Sequence, residues 1–384
     1  MRSIAIITLA TSLFLVPPAS AIAAAPAHLV LGGEDEEEGM LLSPEQVEEG
    51  PDGNLYVLDT GDATIKVYGP TGEYRYRLGG EGEGPGRFQR ADGASFGFIG
   101  KDRIYFAEYI RGHHWLTIMK LNGDLVRVLS PQLDVAFGVA AASPLRGGGF
   151  LVQFGFNVVA HAKDSYFLYD TPRSLARIDS LGAVVSTIVK TSDTRSISTL
   201  PNGGESNLPF TPGFHWLPLD DDEVLWTNGM SPRLRVLDHA GRLVREIETQ
   251  LPGPVPVSSQ ELGRWRAEHK ELVASRYPDW WNRYGRVIES YDKPLYDKPI
   301  IERISRTPGG LLLIEGPPDS GSALSSYRLI NDRGEILART TTLARGLHLS
   351  AHYVLYFTTD EDGAVSAHAA VRAADEVAAV AQFR

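Results

Sequence analysis

Three features of the 384-residue sequence predict an all-β fold of short antiparallel sheets repeated around an axis. A hairpin of two short strands around a glycine recurs, with Gly72, Gly123, Gly182, Gly241 and Gly334 lying 51, 59, 59 and 93 residues apart. Each hairpin follows an apolar strand. The last set of strands (348–351, 353–358 and 365–371) is one strand short, and His28-Leu29-Val30-Leu31 near the start of the chain can supply it. Evenly spaced units that each need a neighbour to bury their faces mark a repeat architecture. A ring closed in this way leaves no long open sheet edge. The prediction is a six-bladed β-propeller with four-stranded antiparallel blades, an N-terminal strand completing the last blade, and one helical insertion.

The first unit is the clearest. Asp52-Gly53 forms a turn, where glycine supplies the positive φ of a tight reversal. Leu55-Tyr56-Val57-Leu58 is apolar on both faces, so that strand is expected to be covered on both sides. Asp59-Thr60-Gly61-Asp62 is a turn cluster whose short side chains can bond the local backbone. Ile65 and Val67 alternate with Lys66 and Tyr68. Thr71-Gly72 turns the chain again, and Tyr74, Tyr76 and Leu78 alternate with charged residues as an outer strand should. The glycine-rich run 79–86 then leads to Arg87-Phe88 and a new inner strand. The segment 50–88 resembles an NHL repeat, one blade of a β-propeller. The match lies in Pro51-Asp52-Gly53-Asn54-Leu55-Tyr56-Val57-Leu58-Asp59-Thr60-Gly61, in Ile65-Lys66-Val67-Tyr68, in Thr71-Gly72-Glu73, and in Gly84-Pro85-Gly86-Arg87-Phe88. Asp62 and Thr64 stand near the places where most NHL blades carry Asn and Arg.

The later units follow the same order. Apolar strands are expected at 103–107, 150–154, 223–227 and 311–314. They precede the hairpins around Gly123, Gly182, Gly241 and Gly334. With the first unit this makes five blades, and the closing set makes a sixth. A seventh would have to hide in the long gap before Gly334. Evenly spaced strands and glycine turns also suit a large β-sandwich or two smaller all-β domains. The missing last strand and the blade-like first unit favour the propeller, a single domain over 28–374.

Residues 1–21 read as a secretory signal. Arg2 gives the positive end, residues 4–16 form an apolar run too short to span a bilayer comfortably, and Ala19-Ser20-Ala21 is a small-x-small cleavage site with Ala21-Ile22-Ala23 as a fallback. An uncleaved anchor is the competing reading. No later run suggests a membrane helix. The chain has no cysteine, hence no disulfide and no lipidated N-terminal cysteine. The expected location is periplasmic or secreted. Formal charge is −11, and it falls to −12 without Arg2. No basic stripe suits nucleic acid. The acidic run 34–38 reads as a solvated loop.

The long gap has a different texture. Ser258 with Glu261 forms a capping-box pattern, and Leu262, Trp265, His269, Leu272 and Val273 fall at helical spacing. Tyr277-Pro278-Asp279 breaks that helix, and Trp280, Trp281, Tyr284, Val287 and Ile288 suggest a second. A helical insertion over 257–290, between the fourth and fifth blades, is expected on a rim or across a channel mouth. Its aromatics either fix the insertion to the propeller or line a lid. Trp265, Trp280, Trp281 and Tyr284 are the candidate ligand-binding residues there.

Propeller ligands sit at the central channel, lined by the innermost strand of each blade. Glu48 or Glu49, Asp92, His215, Glu302, Arg303 and His348 are expected near it. Arg303 is a candidate for ligand binding. Glu49, Asp92, His215 and His348 are candidate ligands for a divalent metal, although wet channel walls also carry polar side chains with no special purpose. Glu49-Gly50-Pro51 resembles the start of gluconolactonase-like propellers, which carry a metal-ligating Glu before a Gly-Pro pair, but their later Asn-Asp-Gly segment has no counterpart. Peptide-amidating lyases are NHL-like and use His ligands on zinc, whereas His113, His114, His161 and His215 form no motif here. No nucleophile elbow, His-Glu-x-x-His or phosphate-binding loop is present. The sequence therefore points to an exported binding module for a protein, peptide or glycan, without a cofactor. The second reading is a metal-dependent hydrolase or lyase of the lactonase type, the only one that needs a divalent metal.

Overall fold

The computed structural model describes residues 28–32, 38–82, 84, 86–88, 94–108, 115–131, 139–155, 159–163, 166–198, 206–219, 223–317, 324–360, 363–381 and 383. The signal-like segment 1–21, most of the acidic run 34–38, and Asp92 lie outside these residues. Among the described residues the strands pair into six antiparallel sheets, five of them four-stranded. Sheet I runs from Pro44–Glu49 through Leu55–Asp59 and Thr64–Tyr68 to Tyr74–Gly79. Sheet II runs from Ser95–Ile99 to Leu125–Leu129, and sheet IV from His215–Pro218 to Leu243–Glu248. Sheet V runs from Arg303–Arg306 to Ile336–Thr342. In sheet VI, Arg345–Leu349, Tyr353–Thr359 and Val365–Val371 are completed by His28–Leu31, with Leu29 opposite Ala369 and Leu31 opposite Ala367.

Sheet III is larger than the sequence reading anticipated. Its strands Tyr166–Ile178 and Val184–Ser198 are 13 and 15 residues long and run well beyond the inner pair Val139–Pro144 and Phe150–Gly155. Val159–Lys163 and Ser206–Asn207 pair along the extension. It projects from the face at which the innermost strands begin.

Packing between sheets accounts for most of the core. One apolar cluster joins sheets I and II (Tyr56, Ile65, Phe96, Phe106), and another joins sheets VI and I (Leu31, Val57, Leu355, Ala367). Equivalent clusters join II with III, III with IV, IV with V, and V with VI. Each sheet is therefore apolar on both faces, as a fanned stack requires. Side-chain bonds to backbone repeat the pattern at 2.6–3.0 Å: Tyr76 Oη to Leu121 O, Tyr105 Oη to Ala142 O, Tyr327 Oη to Ala344 O, and Tyr353 Oη to Pro70 O. Sheets III and IV share the bond from Trp216 Nε1 to Gln153 Oε1 at 2.8 Å.

The crossing from sheet VI into sheet I is held by a buried charge pair. Lys66 Nζ lies 2.8 Å from Asp59 Oδ2 and 2.9 Å from Asp62 Oδ2, with the Lys66 and Asp59 side chains 3% and 0% exposed. Burial works against the Lys66 charge, but the two carboxylates outweigh it and hold its pKa above the ordinary lysine value. Asp59 also accepts from Leu42 N at 2.8 Å and Ser43 N at 2.7 Å, and Lys66 donates to Met40 O. A buried ion needs such saturation, because desolvation otherwise exceeds the pair's attraction.

The helices α1 (Ser259–Arg276), α2 (Pro278–Tyr284) and α3 (Arg286–Ser290) lie in the chain between sheets IV and V. Ser258 caps α1: its Oγ accepts from Glu261 N at 3.2 Å, and the Glu261 carboxylate accepts from Ser258 N at 2.9 Å. Pro278 opens α2, where a missing N–H costs nothing. Val287, Ile288 and Leu262 bury themselves against Leu168 and Ile197 of the sheet III extension. A short helix α4 (Glu376–Ala381) packs between sheets V and VI. No helix among the described residues is long and apolar enough to cross a membrane.

The recurring glycines form the turns between third and fourth strands, with φ between +78° and +92°. All five also face the preceding sheet or the chain leaving it, Gly334 and Gly241 most closely. A Cβ on Gly334 would lie 2.2 Å from Glu248 O, and one on Gly241 would lie 2.5 Å from Ile188 O. Gly334→Ala is therefore expected to lose about 1–2 kcal/mol from the left-handed backbone alone, with overlap adding to it. Urea unfolding measures this loss, and a change below about 0.5 kcal/mol would show that the turn does not dock closely.

Candidate functional site

The innermost strands supply the channel wall. Gln46 spans two of them: its Nε2 donates to Phe96 O at 2.9 Å and its Oε1 accepts from Phe96 N at 3.1 Å. This leaves the adjacent Glu48 facing across to sheet VI, where its Oε2 lies 3.3 Å from His348 Nε2. Both side chains are about a quarter exposed (28% and 27%). Arg306, at the end of its strand, donates to Leu219 O and ties sheet V to sheet IV. A cavity of about 380 Å³ lies among Gln46, Glu48, Leu217, Arg303, Arg306 and His348. A second, of about 520 Å³, adjoins it toward the rim, where Glu49, Pro51, Phe98, Thr307 and His352 join Glu48, Arg306 and His348. Glu48, Arg306 and His348 border both.

Glu49 is spoken for. Its Oε2 accepts from Ser350 Oγ at 2.5 Å and from His352 N at 3.0 Å, and its Oε1 contacts His352 Nδ1. The carboxylate is 5% exposed while His352 is 76% exposed. The pair thus holds an imidazole by one nitrogen and presents the other to the rim. A metal on Glu49 would have to displace one of these partners.

The candidate metal ligands are not brought together. Glu49 and His348 lie in the closing half of their strands, whereas His215 opens its own strand at the other end. Asp92 lies outside the described residues. Among the described residues no three or more His, Asp or Glu side chains are grouped to hold a metal ion. His215 is enclosed by Gly213, Gly229 and Ile301, and its Nε2 is buried without a hydrogen-bond partner. Burial first, and then the nearby Arg173 and Arg195 guanidinium charges, lower its pKa to about 4.

Arg303 borders the channel cavity beside Gly346. The aromatic candidates of the insertion divide. Trp265 stacks on His269 at 5.3 Å and meets Tyr291 edge-on at 6.0 Å, and both it and Trp281 pack on the apolar cluster beneath the helices. These two fix the insertion to sheet III. Trp280 and Tyr284 pair with each other at 5.6 Å, one turn apart on α2, and are half-buried. The helices ride on the sheet III extension and contribute no lining residue to either channel cavity. Sequence reasoning missed His352, which has no motif around it and meets Glu49 from 303 residues away.

No protein-family model and no curated protein sequence matches the chain. Solved structures do resemble it. A candidate exported protein from Bacteroides fragilis NCTC 9343 aligns at 9% identity over 92% of this chain and 98% of that one, with a TM-score of 0.46. Virginiamycin B lyase from Staphylococcus aureus aligns at 10% identity over 90% and 98%, with a TM-score of 0.42. Regucalcin, a calcium-binding protein from Agrobacterium tumefaciens str. C58, aligns at 10% identity over 86% and 90%, with a TM-score of 0.40. The chain's own strand pairing defines it as an all-β protein of propeller type.

His215 gives a pH test. A histidine whose pKa is depressed in the fold contributes stability above the unfolded value of about 6.5 and loses it as pH falls toward the folded value. Acid destabilisation is expected between about pH 6.5 and the folded pKa of about 4. An NMR titration in which the His215 ring protons move near pH 6.5 would contradict its enclosure.

Proposed function

We propose that the chain is an exported, six-bladed, NHL-like propeller that acts as a binding module for a protein, peptide or glycan. On this reading residues 28–374 form the ring, 257–290 an insertion on it, and 1–21 a cleaved leader to the periplasm or beyond. The ligand seats where the innermost strands end. The observation that carries this is the pair of adjoining cavities bordered in common by Glu48, Arg306 and His348. They offer an acid, a base and an imidazole within one recess, which suits a polar ligand with several hydrogen-bonding groups. The half-exposed Trp280–Tyr284 pair is a separate contact surface on the insertion, near the other end of the channel.

The second reading is a metal-dependent hydrolase or lyase, in which Glu49 would exchange its bonds to Ser350 and His352 for a divalent metal. Elemental analysis separates the two. A stoichiometric metal lost in Glu49→Gln supports the enzyme, and a metal-free protein that retains a ligand supports the module.

Peptide and oligosaccharide arrays probed with the purified protein are expected to yield a ligand whose affinity falls at least about tenfold, or ~1.4 kcal/mol, in His348→Ala. Undiminished binding by that variant would remove the channel from the site. N-terminal sequencing of protein from the periplasmic fraction is expected to begin at Ile22 or Ala24. An intact Met1 there would eliminate the leader.

A further inference from the structure

We propose a metal site on sheet VI, built from His28, His368 and Tyr356, for one borderline divalent transition-metal ion such as Zn²⁺ or Cu²⁺. It lies apart from the channel and involves none of the residues weighed there.

The strand register brings the three side chains to one face. His368 stands opposite Tyr356 on one side and Val30 on the other, and His28 is two residues from Val30. Alternation along a strand therefore points His28, His368 and Tyr356 the same way. Their polar atoms converge. His28 Nε2 lies 3.2 Å from His368 Nδ1 and 2.9 Å from Tyr356 Oη. A tetrahedral ion with bonds of about 2.0–2.1 Å to nitrogen keeps neighbouring donors about 3.3 Å apart. Both separations from His28 are within about 0.4 Å of that edge length.

Tautomer and rigidity also suit ligation. His368 Nε2 lies 2.7 Å from Thr358 Oγ1. With the hydroxyl accepting from Nε2–H, the lone pair on Nδ1 is turned toward His28. A ligating histidine characteristically spends its other N–H in this way, which fixes the ring and raises its basicity. His368 is 9% exposed, and Phe383 packs edge-on against Tyr356 at 5.0 Å. His28 is exposed, which leaves a path for the ion and room for a water as fourth ligand. Two imidazoles and a phenol are nitrogen and oxygen donors that suit zinc or copper rather than calcium or magnesium. Metal binding here would clip the closing strand 28–31 to strand 365–371.

Equilibrium dialysis of the untagged full protein with Zn²⁺ or Cu²⁺ alone is expected to reach one equivalent and to raise the melting temperature. His28→Gln and His368→Gln should lose that uptake, and Thr358→Val should bind about 10–100-fold more weakly. His28→Gln alters an exposed end of the sheet, so it remains informative if His368→Gln does not fold. The copper form should show a phenolate-to-copper band that Tyr356→Phe removes. Absence of stoichiometric uptake of both ions, uptake that survives His28→Gln, or a copper form without that band would overturn the three-donor site.

Discussion

The pairing of His28–Leu31 with Val365–Val371 is the constraint on which the rest of the molecule depends. The strands of the other sheets come from one continuous stretch of chain, and they need only local turns to form. Sheet VI needs both ends of the described chain at once. Its outer strand then feeds the segment that crosses into the inner strand of sheet I, and that segment is clamped by Asp59, Lys66 and Tyr68. The clamp is polar because it secures backbone rather than side chains. Met40, Leu42 and Ser43 keep their side chains exposed while their backbone groups bond the buried Asp59 and Lys66. Asp59 and Lys66 also neutralise each other.

This closure gives the channel two unlike ends. Where the innermost strands finish, sheets V, VI and I bring Arg306, His348, Glu48 and the Glu49–His352 pair to one recess. Where they begin, sheet IV contributes a half-buried His215 whose Nε2 is enclosed, and sheet III extends outward to carry the helices. The first end presents charged side chains to solvent, and the second encloses an imidazole nitrogen. A ligand with several polar groups finds partners at the first end without displacing packed side chains.

The all-β architecture was legible because its signals are local. Gly72, Gly123, Gly182, Gly241 and Gly334 mark turns whose φ is positive, and the both-face apolar character of 55–58 follows from a strand packed between two neighbouring sheets. The Ser258 capping box was legible for the same reason. The sheet III extension was not. Its segment 190–198 is rich in Ser, Thr and charged residues and reads as loop, and only pairing with 167–174 makes it strand. Within the channel, counting back from each apolar strand pointed to Glu48 or Glu49, Arg303 and His348 as polar residues near the axis. It did not reveal that Glu49 is saturated by Ser350 and His352, because partners about 300 residues away leave no local trace. His215, a candidate ligand in sequence, stands at the opposite end of its strand from Glu49 and His348, with its Nε2 enclosed.

The distance along the chain between 28–31 and its partner strand also has a kinetic meaning. During synthesis the early strand emerges long before 365–371 exists, and in that interval it has no native edge to join. Contacts between remote segments form late and make folding slow. Until they form, the third strand of sheet VI exposes an open row of amides and carbonyls that any extended peptide could occupy. The nascent molecule is thus most vulnerable to mispairing with another copy of itself at its final step, and a helper that shields strand 365–371 would act there with greatest effect.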